Sequence, residues 1–146
     1  MIKSYRGKLP DGGQHTLNLH TNDGKTGYKL VKFQVIPALP GTAAGEHTVQ
    51  IFKVKQTTVP TGTAVIDFTD NTLLGAAIIG NSTNITNAGG GDIIVFDNEI
   101  FNQDIYVTHT EANSDGECNY YIELEQISLT EDQALVAIVK NLRNEQ

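Results

Sequence analysis

Cys118-Asn119-Tyr120-Tyr121-Ile122-Glu123-Leu124-Glu125-Gln126 is the stretch that decides the fold class. On an extended backbone Tyr120, Ile122 and Leu124 point one way, and Tyr121, Glu123 and Glu125 the other. That alternation specifies an antiparallel strand with one dry face and one wet face. The same signal recurs upstream. Residues 28–36 set Val31, Phe33 and Val35 against Lys32 and Gln34. Residues 48–56 supply Val49, Ile51, Phe52 and Val54, and residues 64–68 supply Val65 and Ile66. Residues 92–96 are β-branched and aromatic, and residues 104–110 set Ile105 and Val107 against Tyr106 and Thr108. Residues 14–20 give a weaker strand through Leu17 and Leu19.

Turn chemistry separates these segments. Pro10-Asp11-Gly12-Gly13, Asn22-Asp23-Gly24, Pro37-Ala38-Leu39-Pro40-Gly41 and Asn113-Ser114-Asp115-Gly116 combine a preset φ, Asx bonds to the backbone and glycine at positive φ. Seven or eight strands at this spacing predict an all-β protein, an antiparallel β-sandwich or jelly roll. A parallel α/β fold needs helices between its strands, and no helical pattern lies there.

One helix is expected, over residues 130–144. Thr130 fits the N-cap and Gln133 the reciprocal position of a capping box. Glu131 and Asp132 suit the positive end of the dipole, and Lys140 and Arg143 the negative end. Leu135, Ile138, Val139 and Leu142 form one apolar stripe. Buried, those four side chains would contribute on the order of 6–10 kcal/mol before ordering entropy. The stripe either caps its own sandwich or docks on a neighbouring subunit.

The 146 residues make one domain, 1–146, large enough for one core. Charged residues are 18% and apolar ones 39%, which argues against disorder of the whole chain. Apolar runs are too short to cross a membrane, and Met1 to Arg6 lack the apolar stretch of a secretory leader. The net charge is −7, unevenly laid out. Residues 1–55 hold eight cations and three acids, whereas residues 56–139 hold thirteen acids and no Lys or Arg. An acidic body is a poor partner for nucleic acid. Its charge either keeps the surface solvated or pairs with the basic N-terminal region of another copy. Residues 71–91 carry no charge and read as a strand followed by a long loop packed on something else, or as a mobile loop.

Catalytic and metal-binding patterns are weak. His15, His20, His47 and His109 are scattered and read as surface or turn residues, so no metal site is expected. Cys118, the only cysteine, excludes an intrachain disulfide and reads as a packed small residue. Asp67, Asp70 and Asn71, like Asp97, Asn98, Glu99 and Asp104, lack the spacing of a calcium loop and read as turn caps. Asn81-Ser82-Thr83 and Asn84-Ile85-Thr86 match the glycosylation pattern but read as polar loop. There is no Gly-x-Ser-x-Gly elbow, and no Gly-Lys follows Gly89-Gly90-Gly91. No catalytic residue and no cofactor is expected.

Ser4-Tyr5-Arg6-Gly7-Lys8-Leu9, Asn22-Asp23-Gly24, Val31-Lys32-Phe33-Gln34, the run from Ile94 to His109, and Cys118 to Glu125 resemble small virion structural proteins of marine tailed phages. The resemblance covers most of the chain. It implies a β-sandwich or jelly-roll protein of the particle, a capsid decoration or cement protein made in the host cytoplasm. Its partners would be the major capsid protein or other copies of itself, as in a trimer, with no nucleic acid and no membrane. A tail or vertex position and a glycan-binding module are the alternatives. No catalytic residue comes with the resemblance. A cement protein works by multivalent contact. The expected contact residues are Lys3, Tyr5, Arg6 and Lys8 in an N-terminal segment, 1–9, that reads as a contact arm or as the first strand, together with Leu135, Ile138, Val139 and Leu142.

Overall fold

A computed structural model describes residues 1–39, 45–80, 91–95, 99–112 and 116–145. The chain runs β1 (Ile2–Leu9), β2 (Gln14–Leu17), β3 (Thr26–Pro37), β4 (Glu46–Phe52), β5 (Leu73–Gly80), β6 (Gly91–Val95), β7 (Ile100–Phe101), β8 (Ile105–Ala112), β9 (Cys118–Ser128) and α1 (Glu131–Glu145). Two sheets form, ordered β1-β9-β3-β7 and β2-β8-β4-β5-β6, and every ladder is antiparallel. The protein is an all-β sandwich with a C-terminal helix.

β9 fulfils its pattern. Tyr120, Ile122 and Leu124 are buried, Tyr121 and Glu123 half-buried, and Glu125 exposed. Its inner face meets Leu30, Phe33 and Val35 of β3, Val49 and Ile51 of β4, and Ile105 and Val107 of β8 in one core shared by both sheets. In β3 the alternation breaks once. The register with β9 skips Val31 between Leu30 and Lys32, which makes a bulge. Leu30 is buried and Val31 exposed, so the inward set is Leu30, Phe33 and Val35 rather than Val31, Phe33 and Val35. One extra residue reverses the side-chain phase, and the apolar pattern alone does not reveal it.

β4 stops at Phe52, and the segment predicted as a strand at 64–68 is irregular. Residues 53–72 instead cross the outer face of the five-stranded sheet. Thr110 Oγ1 donates to the Pro60 carbonyl at 2.8 Å and Gln50 Nε2 to the Val65 carbonyl at 3.1 Å. This strap explains why Thr48, Gln50, Thr108 and Thr110 are buried although they point away from the core. The uncharged stretch does begin with a strand, β5, while the loop expected after it, and the glycosylation patterns, fall outside the described residues. Among the described residues no helix is long and apolar enough to cross a membrane.

The helix begins as its capping box predicts. Gln133 N donates to Thr130 Oγ1 at 3.2 Å and Thr130 N to Gln133 Oε1 at 2.9 Å. It is anchored at its first turn. Ala134 is buried, and Asn102 Nδ2 donates both to the Ala134 carbonyl at 3.2 Å and to the Gly24 carbonyl at 2.8 Å. Gly24 has a φ of +67°, and a Cβ there would come within 3.2 Å of Ile138 Cδ1, so glycine suits this turn and the close approach of the helix.

Candidate functional site

The predicted contact segment at the N-terminus is a strand, not a free arm. β1 pairs with β9 from Ile2↔Glu125 to Leu9↔Cys118. It is the outer strand of its sheet, and among the described residues no strand pairs with its other edge. Arg6 and Lys8 are exposed on the outer face, and Lys3 is exposed as well. Tyr5 points the other way and packs against the core, where burial and then the neighbouring Tyr28 push its phenol up. Of the four predicted contact residues on β1, Tyr5 alone is partly buried. Arg6 and Lys8 line a groove of about 460 Å³ with Gln34, Ile36, Asn119 and Tyr121. Lys8 lies 3.8 Å from Glu117 and Lys32 lies 3.7 Å from Glu123; both pairs are exposed enough to add little.

The helical stripe is not covered. Leu135 is 60%, Leu142 53% and Val139 39% exposed, and Ile138 alone of the four is half-buried. The expectation of a stripe buried in its own domain is corrected accordingly. The helix docks along Ala134 and Ile138, where the small side chain allows close approach, and its larger residues face outward. Arg6 and Lys8 stand beside Tyr121 and Asn119 near the start of β9, roughly 23 Å along the strand from its end, which α1 follows, whereas Lys3 pairs with Leu124, closer to that end.

Sequence reasoning missed a buried polar cluster at one end of the core. His47 on β4 and His109 on β8 are fully buried, not at the surface or in turns as expected. Their inward neighbours explain this. His47 is in phase with Val49 and Ile51, and His109 with Ile105 and Val107, so the alternation that fills the core carries both imidazoles inward. The rings stack, with centroids 5.1 Å apart. His109 Nδ1 lies 3.0 Å from the Pro10 carbonyl, an acceptor only, so this nitrogen carries the proton. His109 Nε2 then accepts from His47 Nδ1 at 2.9 Å. His47 Nε2 is left as a buried lone pair with no hydrogen-bond partner among the described residues. Cys118 enters from β9, and one nitrogen of each ring and Cys118 Sγ all lie within 4.8 Å of one another.

The electrostatics follow from burial. His47 is pushed down to about 4 by desolvation and then by His109, against the pull of Asp11. Burial pushes the Cys118 thiol up to about 12, opposed by its contact with the Ile36 carbonyl. Glu111 is buried on the same inward face and stands across the ladder from His47. Nearby, His15 Nδ1 and Tyr120 Oη lie 3.0 Å apart. His20 is exposed and bonds Asp104 at 2.7 Å; burial acts to raise that carboxyl, but the bonds from His20 and Leu19 hold it low.

Asp67 and Asp70 behave as the turn caps expected, whereas Asp104 and Glu99 do not, because each bonds a residue distant in the chain. Asp67 Oδ1 accepts from the Thr69 amide and hydroxyl, and Asp70 Oδ1 from those of Thr72. Asp97 and Asn98 fall outside the described residues. Glu99 pairs with buried Lys53 at 2.7 Å.

No protein-family model matches this chain, and no curated protein matches it either.

Proposed function

We propose that this protein is a structural component of a phage particle, a decoration protein that holds neighbouring capsid subunits by protein–protein contact and transforms no substrate. The observation that carries this reading is the uncovered ridge of α1. Leu135, Val139 and Leu142 present an apolar line to solvent on a helix already anchored through its other side. Covering that ridge would contribute on the order of 2–5 kcal/mol before the cost of association. Repetition over many sites on a shell turns such modest contacts into persistent attachment.

Two further features support the reading. The sequence likeness to virion proteins of tailed phages agrees with a domain that offers adhesion surfaces. The strand pairing β1–β9, β2–β8, β3–β7 and β4–β5 is that of a ribbon rolled on itself, so we read the sandwich as a jelly roll with β6 added to one edge. Arg6 and Lys8 supply a second, basic contact at the far end. The partner is the major capsid protein or another copy of this chain, and the place is the outer surface of the shell. Co-sedimentation with undecorated capsids, followed by reconstruction of the decorated particle, tests this. Density on the shell with α1 at a contact is expected. Density confined to the tail or a vertex, or no binding by a folded domain, would overturn the decoration reading.

A further inference from the structure

We propose that His47, His109 and Cys118 form a buried binding site for a single Zn²⁺ ion that ties the two sheets together. The donor set is two imidazole nitrogens and one thiolate, the chemistry that suits a borderline d-block cation and not calcium or magnesium. The three residues come from different strands and from both layers: His47 and His109 from the five-stranded sheet, Cys118 from the four-stranded one. Their donor atoms already lie within 4.8 Å of one another.

The hydrogen bonding of His109 is arranged as a metal site requires. A metal-ligating histidine normally donates its second ring N–H to a carbonyl or carboxylate, which fixes the tautomer and aims the other nitrogen. His109 does this with the Pro10 carbonyl, which leaves Nε2 as the ligand. His47 Nδ1 faces that nitrogen at 2.9 Å. On a tetrahedral Zn²⁺ two nitrogens stand about 3.3 Å apart and nitrogen and sulfur about 3.6 Å. The rings therefore part by about 0.4 Å and the sulfur closes by at most about 1.2 Å.

The proton inventory is also met. When the ion takes His47 Nδ1, the proton there moves to Nε2, the nitrogen that otherwise holds an unused lone pair in the core. The thiol proton of Cys118 leaves to solvent, and the thiolate neutralises one of the two charges. Asp11, whose charge acts on His47, lies near enough to offset the other, and the fourth position is left to water or another ligand. Either tautomer leaves His47 Nε2 without a partner among the described residues, so moving the proton there costs no existing hydrogen bond at that atom.

The test uses the full chain, stripped with chelator. Co²⁺, the spectroscopic substitute for Zn²⁺, should give a thiolate-to-metal charge-transfer band together with tetrahedral ligand-field bands at one equivalent, and Zn²⁺ should abolish both by competition. Zn²⁺ should raise the melting temperature of the wild type. Cys118→Ser should lose the charge-transfer band, and His47→Gln should bind Co²⁺ at least tenfold more weakly, with near-UV circular dichroism showing that each variant is folded. Absence of the charge-transfer band in the wild type, which needs no variant to fold, would overturn the proposal. So would an equal Zn²⁺ shift in wild type and Cys118→Ser, which would place the ion at a surface group such as His20 with Asp104.

Discussion

Asn102 holds the C-terminal helix through Ala134. Its amide donates to the Ala134 carbonyl at 3.2 Å and to the Gly24 carbonyl at 2.8 Å, from a side chain that is itself fully buried. The helix is thus held by a polar clamp together with Ala134 and Ile138, the one member of the apolar stripe that turns inward. Asn102→Ala removes both bonds and leaves the Gly24 carbonyl buried without them. A loss of about 1–3 kcal/mol is expected. The check is urea unfolding combined with amide exchange, in which the amides of α1 should lose protection before those of β9. A variant as stable as wild type with an equally protected helix would show that the clamp is idle.

Leu135→Asp should leave the isolated domain nearly unchanged in stability, within about 0.5 kcal/mol, because the side chain is already exposed. The same change should sharply weaken binding to capsids, and Leu142→Asp should act alike. Thermal melting and co-sedimentation separate the two effects. A large drop in melting temperature with attachment preserved would mean that the ridge is structural.

Lys53 and Glu99 should respond unequally to mutation. The Lys53 ammonium is buried and bonds Glu99 at 2.7 Å, while the carboxylate is about one third exposed. Glu99→Ala strands a buried cation and should cost about 2–3 kcal/mol after discount for solvent screening. Lys53→Met removes the charge and keeps the stem, and should cost less than about 1.5 kcal/mol. Chemical denaturation of both variants decides the order, and a Lys53→Met that is the more damaging of the two would refute this account.

The metal-free protein should lose stability as it is acidified through the range of His47. The imidazole titrates near 6.5 when unfolded and at about 4 when folded. Above pH 6.5 both states are neutral there and the contribution is complete. As the pH falls, the unfolded chain takes up the proton first, so stability declines down to about pH 4 and this group adds nothing further below it. The decline amounts to about 3 kcal/mol. His47→Gln should flatten this part of the profile in denaturant titrations at stepped pH with chelator present, and an unaltered slope would assign the effect elsewhere.

The sandwich was legible because alternation is local. Tyr120, Ile122 and Leu124 announce the central strand, and Thr130 with Gln133 announce the helix start, without knowledge of any partner. Where a partner decides, the sequence is mute. Val31 bulges because of its register with β9, and residues 64–68 have strand composition but lie as a strap. The stripe of α1 reports that the helix has an apolar side, but Ala134 and Asn102 decide which side touches the domain. The histidine cluster was half-legible. The phase of His47 with Val49 and Ile51, and of His109 with Ile105 and Val107, was readable, whereas the meeting of the two rings with Cys118 depends on three strands far apart in the chain.

The strand order has a consequence for how the molecule is made. β9 lies between β1 and β3, and β8 lies between β2 and β4, so none of the first four strands pairs with another of the four. A growing chain that has emerged as far as Phe52 holds four strands with open edges and no ladder among its described residues. Neither sheet can close until the last third of the polypeptide leaves the ribosome. Folding is then a late, all-at-once event dominated by contacts between distant residues, which places it at the slow end for a domain of this size.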